Sequence, residues 1–189
     1  MRKLAYYVAV TADGFIAAED GSYDTFLFEG PQAADLLADF PETMPTHLRE
    51  PLKITAPNQR FDTVLMGRAT YEVGLKDGVK SPYSHLEQYV FSSTLGESPD
   101  PAVGLVSADA VKFVRSLKSR EGRDIWLCGG GELAASLATE IDELILKLNP
   151  VVIGAGIKLF GRAVAPIKLA LKERKIYDNG YLRLHYARA

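Results

Sequence analysis

Ile125-Trp126-Leu127-Cys128-Gly129-Gly130-Gly131-Glu132 reads as a buried strand that runs into three glycines and then a helix. Two other stretches follow the same pattern: Thr63-Val64-Leu65-Met66-Gly67-Arg68-Ala69-Thr70 and Tyr89-Val90-Phe91-Ser92-Ser93-Thr94. In a parallel sheet, the turns that follow the strands gather at the carboxyl edge, where α/β proteins hold nucleotides and phosphates. Between them these turns carry one arginine, the hydroxyls of Thr70, Ser92, Ser93 and Thr94, and a run of glycines. That set suits a ligand bearing several negative charges.

The flanking sequence predicts the rest of such a fold. Leu4 to Val10 is a continuous apolar and aromatic run, as a strand buried on both faces requires. Gln32 to Phe40 places Ala33, Leu36, Leu37 and Phe40 at helical spacing behind Pro31. From Pro41 to Arg60 the chain holds four prolines and no period. This reads as an excursion with room for a short helix that caps a pocket or an interface. Strands are expected at Phe61–Gly67, Gln88–Ser92, Val103–Val106, Ile125–Cys128 and Leu144–Val152, the last interrupted by Pro150. Helices are expected near Ala69, after Asp109 as its cap, and over Glu132–Thr139. Leu169–Tyr177 and Tyr181–Arg188 alternate around Asp178-Asn179-Gly180, a hairpin signal. The pattern predicts an α/β fold, with a mixed, mainly parallel sheet flanked by helices and a C-terminal antiparallel hairpin.

At 189 residues, 47% hydrophobic and 24% charged, the chain reads as one domain over 1–189 with a substantial core. A net charge of −2 with no basic block argues against nucleic acid and anionic membranes as partners. No apolar run approaches the ~20 residues that cross a bilayer, and the N-terminal run reads as a strand, not a signal peptide. The single cysteine, Cys128, forms no disulfide framework, which fits a reducing cytoplasm. Its apolar surroundings predict a buried, inert thiol. His47, His85 and His185 are scattered without metal-ligand spacing.

The turns carry the chemistry. Gly67 lets the backbone turn sharply at the head of a helix whose amides point outward, and Arg68 adds a planar fork that matches phosphate. Ser92, Ser93 and Thr94 place three hydroxyls at a strand end, as phosphate donors or as local backbone caps. Three consecutive glycines sacrifice backbone entropy, so something must pass close to Gly129-Gly130-Gly131; a pyrophosphate or a tight packing turn is the reading. Gly129-x-Gly131-x-x-Ala134 fits the dinucleotide fingerprint only loosely. No acid follows at Leu148-Asn149-Pro150, and the motif comes late in the chain, so the Rossmann fold is rejected.

In this order, several segments resemble dihydrofolate reductase. They are the Leu4–Val10 strand, Asp13-Gly14-Phe15-Ile16-Ala17, Met66-Gly67-Arg68-Ala69-Thr70-Tyr71-Glu72, Phe91-Ser92-Ser93 and Gly129-Gly130-Gly131-Glu132. With Pro150-Val151-Val152-Ile153-Gly154-Ala155-Gly156-Ile157-Lys158-Leu159-Phe160, they resemble still more the reductase domain of riboflavin biosynthesis (RibD C-terminal domain) and its stand-alone bacterial relatives. The resemblance spans nearly the whole chain. It implies a dihydrofolate reductase-like fold and an NADPH-dependent reductase. In the riboflavin group the substrate is 5-amino-6-(5-phosphoribosylamino)uracil, and members are commonly homodimers; here the aromatic hairpin is the expected contact. Gly67, Arg68 and Thr70 would meet cofactor phosphates, and Ser92, Ser93 and Thr94 the adenosine 2′-phosphate. Gly129, Gly130, Gly131 and Glu132 would line the pyrophosphate, and Val10, Ile16 and the Asp13-Gly14 turn the nicotinamide. Asp35 matches the carboxylate that dihydrofolate reductase turns toward its pterin, with Asp24 and Glu29 as alternatives in a longer preceding loop. Phe26 and Phe28 would fill the space of the family's loop tryptophan. A true dihydrofolate reductase and a catalytically inactive NADP-binding protein are the rival readings.

Overall fold

The computed structural model describes residues 1–189. In chain order the elements are β1 (Leu4–Thr11), β2 (Phe15–Ala17), α1 (Pro31–Asp39), a 3-10 turn (Pro41–Thr43), α2 (Thr46–Arg49), β3 (Phe61–Gly67), α3 (Arg68–Lys76), β4 (Glu87–Phe91) and β5 (Val103–Val106). They continue as α4 (Ala110–Lys118), β6 (Asp124–Gly129), α5 (Gly131–Ser136), β7 (Glu143–Asn149), β8 (Ile157–Lys158), β9 (Leu169–Ile176) and β10 (Leu182–Arg188). Eight strands form one sheet in the order β5-β4-β3-β6-β1-β7-β10-β9, and β2 pairs with β8 in a small antiparallel sheet. The strands from β5 to β7 are parallel, and β10 runs against both of its neighbours. This is the mixed, mainly parallel sheet with a C-terminal hairpin that the sequence predicts.

The sheet is central because its inner strands are apolar on both sides. From β1, Leu4, Tyr6 and Val8 enter one core with Val114 and Leu117 of α4 and Leu133, Ala134 and Leu137 of α5. Ala5 and Tyr7 enter a second core with Phe61, Val64, Trp126, Ile145, Tyr71 of α3 and Phe40, which follows α1. The result is three layers, with α4 and α5 on one face of the sheet and α1 and α3 on the other. Each large side chain so buried contributes roughly 1.5–3 kcal/mol. The second core is built on aromatic rings. Tyr7 stacks on Phe40 at 4.6 Å, Tyr83 meets Trp126 edge-on at 4.9 Å, and the Trp126 indole N–H donates to the Tyr7 carbonyl at 3.0 Å.

Some boundaries differ from expectation for physical reasons. The proline-rich excursion carries the short α2 and is pinned by Glu42. Its fully buried carboxylate accepts the backbone N–H groups of Gln59, Arg60 and Phe61 at 3.1, 2.8 and 2.7 Å. Strand β7 stops at Asn149, because Pro150 has no N–H to continue the ladder. Strand β8 follows a glycine turn and is too short to leave a periodic signature. Asp109 caps α4 as predicted, accepting from the Val111 and Lys112 amides.

At the amino edge of the sheet, Glu143 is nearly buried among cations. Lys3 Nζ donates to it at 2.7 Å, His185 Nε2 lies 2.8 Å from it, and Arg60 completes the cluster. Burial opposes its charge, but the hydrogen bonds from His185 and Lys3 and the Arg60 guanidinium hold its carboxyl well below the usual carboxylate range. A depressed carboxylate pKa stabilises the fold above the ordinary value of 4.5, and that contribution is lost as pH falls toward the folded value. Glu143→Gln should therefore cost about 2–3 kcal/mol at pH 7 in urea denaturation. Below pH 4.5 the gap between variant and wild type should narrow.

Candidate functional site

The carboxyl ends of β3, β4, β5 and β6 open into one cavity of about 1040 Å³. Gly67 with Arg68 and Thr70, Ser92 with Ser93 and Thr94, and Gly129 with Gly130, Gly131 and Glu132 all line it. Three turns drawn from the stretch between Gly67 and Glu132 thus line one cavity, because parallel strands end on the same edge. Ile16 of β2 lines it as well.

The glycines divide between two tasks. A Cβ at Gly129 or Gly130 would meet only the Thr70 hydroxyl, at 3.4 and 3.5 Å, so both leave bare backbone toward the cavity. Gly129 also has a φ of 149°, which side-chain-bearing residues rarely adopt. Gly131 differs: a Cβ there would strike the Lys158 carbonyl oxygen and stand 2.8 Å from the Gly161 nitrogen. A Cβ at Gly67 would stand 3.3 Å from the Gly130 nitrogen, a tight contact that is milder than the clash at Gly131. The close approach at Gly131 and Gly67 is therefore made by the chain itself. The run of three glycines combines a packing turn with an open cradle.

Arg68 stands at the rim, about half exposed. Its Nη1 donates to the Thr94 hydroxyl at 2.7 Å, and its Nε lies 3.2 Å from Glu72 one helical turn on. Ser92 caps its own turn, its hydroxyl accepting from the Thr94 and Leu95 amides at 3.2 and 2.9 Å. The guanidinium is thus presented beside a hydroxyl turn, an arrangement that can receive a phosphate.

The carboxylates proposed from sequence lie elsewhere. Asp35 faces the C-terminal hairpin, where Tyr177 donates to it at 2.9 Å and Lys175 at 3.3 Å. The hydrogen bonds from Tyr177 and then Lys175 lower its pKa. Asp24 and Glu29 do not line the cavity, and neither does Val10, which is buried in the sheet. The Asp13-Gly14 turn has a structural task. Asp13 accepts from the Thr11 hydroxyl at 2.5 Å and from the Ile153 and Gly154 amides, tying the end of β1 to the turn before β8.

Sequence reasoning missed several other residues of the cavity. Glu19, Asp20 and Tyr23 join Phe26 and Phe28 from the β2–α1 connection, and Val73, Lys76 and Tyr83 line the cavity as well. Ala9 and Cys128 line it too. Burial pushes the Cys128 thiol up to about 11, as an inert thiol requires. Lys147, the register partner of Ala9 on β7, places its ammonium 4.4 Å over the Tyr7 ring, and burial lowers it to about 8. A lone lysine inside an apolar strand was its only signal. No cluster of three or more potential metal ligands occurs in the structure, and no helix is long and apolar enough to cross a membrane.

The family described as RibD C-terminal domain matches residues 2–182. Uncharacterized protein YwjB of Bacillus subtilis (strain 168) is 36% identical over 191 residues, covering 100% of this chain and 99% of that protein. A putative riboflavin biosynthesis protein from Shewanella sp. PV-4 superposes with a TM-score of 0.72 at 22% identity, over 100% of this chain and 99% of that one. Dihydrofolate reductase from Enterococcus faecalis, complexed with NADP(H) and RAB-propyl, superposes with a TM-score of 0.60 at 16% identity, over 98% and 96% of the two chains. The last two likenesses concern the fold, which is dihydrofolate reductase-like.

Gly131→Ala should destabilise the protein by about 1–3 kcal/mol, since the backbone at Lys158 and Gly161 cannot yield as a flexible side chain would. Chemical denaturation of the variant reads this directly, and an unchanged midpoint would show that the segment over α5 is free to move.

Proposed function

Because the chain belongs to the RibD C-terminal domain family, we propose that it is an NADPH-dependent reductase of the riboflavin-biosynthesis type, acting on a pyrimidine- or pterin-like acceptor. In this reading residues 1–189 act as one domain. The observation that carries it is the meeting of the arginine turn, the hydroxyl turn and the bare Gly129-Gly130 backbone on one cavity wall. The cavity has the volume and the cradle that a dinucleotide needs, so the residues present fit the group.

When bound, the cofactor supplies a hydride. The chain supplies position and dryness. Gly129 and Gly130 let a pyrophosphate approach the backbone, and Glu132 and Gly131 border the same stretch. Arg68, Thr70, Ser93 and Thr94 offer donors to phosphate, and a charged fork beside hydroxyls favours the 2′-phosphate of NADP over the free hydroxyl of NAD. Ile16, which lines the cavity, would border the nicotinamide. Asp35 is turned toward Lys175 and Tyr177, which speaks against a folate-reducing reading built on that carboxylate.

A homodimer belongs to the same reading. Strand β9 leaves Leu169, Leu171 and Ile176 exposed at the end of the sheet. Sedimentation of the wild type should give a dimer, and Ile176→Asp should shift it toward monomer.

Binding titrations test the cofactor. NADPH should bind more tightly than NADH, and Arg68→Ala should weaken NADPH by about 1.5–3 kcal/mol, NADH less. Equal losses would move Arg68 away from the 2′-phosphate. No affinity for either nucleotide would end the reductase reading.

A further inference from the structure

Arg68, Glu72 and Lys76 stand at the first, fifth and last positions of α3. Spaced four apart, they share one row of the helix, and all three line the cavity. Glu72 is thus one turn from a cation on either side. The structure forms one of the two possible pairs. Arg68 Nε lies 3.2 Å from Glu72 Oε1, with the two side chains 48% and 40% exposed. Lys76 is exposed, and Glu72 is not paired with it.

This pair bears on the group that Arg68 is expected to receive. A guanidinium grips a phosphate best along an edge, through two parallel N–H bonds. It offers two such edges to solvent, Nε with Nη2 and Nη1 with Nη2. Glu72 holds Nε on the first, and the Thr94 hydroxyl, 2.7 Å from Nη1, holds a donor of the second. Neither edge is free. The two partners differ in what they do next. The Thr94 hydroxyl still has a proton to donate to a phosphate. The Glu72 carboxylate has none, and it stands as a like charge beside any dianion placed on the fork.

We propose, on the basis of the reductase reading above, that Glu72 is a specificity-determining residue that works against the 2′-phosphate. It competes with the phosphate for the Arg68 fork and, once displaced, turns to Lys76 one helical turn on. The preference for a phosphorylated cofactor is then set by three side chains of one helix row, and not by Arg68 alone. A nucleotide with a free 2′-hydroxyl displaces nothing from the fork, so Glu72 does not weaken it.

A matched pair of probes tests this. Adenosine 2′,5′-bisphosphate carries the 2′-phosphate, and adenosine 5′-monophosphate lacks it. Both are titrated by calorimetry against wild type, Glu72→Gln, Lys76→Met and the double variant, with thermal midpoints checked to show that the fold is kept. Glu72→Gln preserves the shape and removes the charge. It should bind the bisphosphate about three- to tenfold more tightly at low salt, with a smaller gain at high salt and no change for the monophosphate. Lys76→Met should weaken the bisphosphate several-fold where Glu72 is present and much less in the Glu72→Gln background, because the lysine acts through the carboxylate. Unchanged or weaker bisphosphate binding in Glu72→Gln overturns the proposal and leaves the cofactor reading standing. An equal Lys76→Met loss in both backgrounds overturns it too. If neither nucleotide binds any of the proteins, the cofactor reading fails, and the Arg68 Nε–H resonance decides the competition. That signal should respond to inorganic phosphate in Glu72→Gln and far less in wild type, and an equal response overturns the proposal.

Discussion

Strand β1 carries Leu4, Tyr6 and Val8 on one face and Ala5 and Tyr7 on the other, all packed against helices or aromatic rings. A strand apolar on both faces has no stable place except inside a sheet covered on both sides. Its neighbours β6 and β7 then run parallel to it, and β3, β4 and β5 follow in the same direction. Parallel strands need crossovers, and the crossovers put every strand's carboxyl end on one edge. The cavity is the consequence: turns far apart in the chain become one wall because the strands that deliver them share a direction.

The two edges of the sheet carry different electrostatic loads. At the amino edge, Glu143 is surrounded by Lys3, Arg60 and His185, and Arg2 pairs with Asp62. These charges satisfy one another and hold strand ends in place. At the carboxyl edge the polar groups are less enclosed: Gly129 and Gly130 line the cavity, and Arg68, though bonded to Thr94 and Glu72, stays about half exposed. Mutual pairing makes the first edge structural, and openness makes the second available for binding. Within the second edge, α3 carries Arg68 at its first residue and Lys76 at its last, and both line the cavity.

The glycines show how one residue type serves both purposes. Gly131 is required because Lys158 and Gly161 pass over it, and Gly161 is required in turn because Glu132 lies against it. This packing fixes where α5 begins, and so where the two preceding glycines lie. The cradle therefore depends on a contact with a segment about 30 residues downstream.

Much of this was legible in the sequence. Strands β3 and β5 were predicted to the residue, and the hairpin at Asn179-Gly180 and the Asp109 cap were marked by local chemistry. Of the cofactor-site residues singled out, Val10 and the Asp13-Gly14 turn do not line the cavity and the others do; Val10 sits inside the strand, where a continuous apolar run gives no indication of which face meets the site. The carboxylates were not legible. Asp35 is exposed on its helix and finds Lys175, 140 residues away, so no local pattern could have said which way it points. Glu19, Asp20, Tyr23 and Tyr83 come from loops with no period, and only the packing of α1 and α3 over the sheet brings them together. The sequence by itself determined the elements, their order and the phosphate-suited turns, because burial on two faces and glycine or hydroxyl turns are local properties. Only the tertiary structure decided which acids and aromatics share the cavity with those turns, because that depends on contacts between segments distant in the chain.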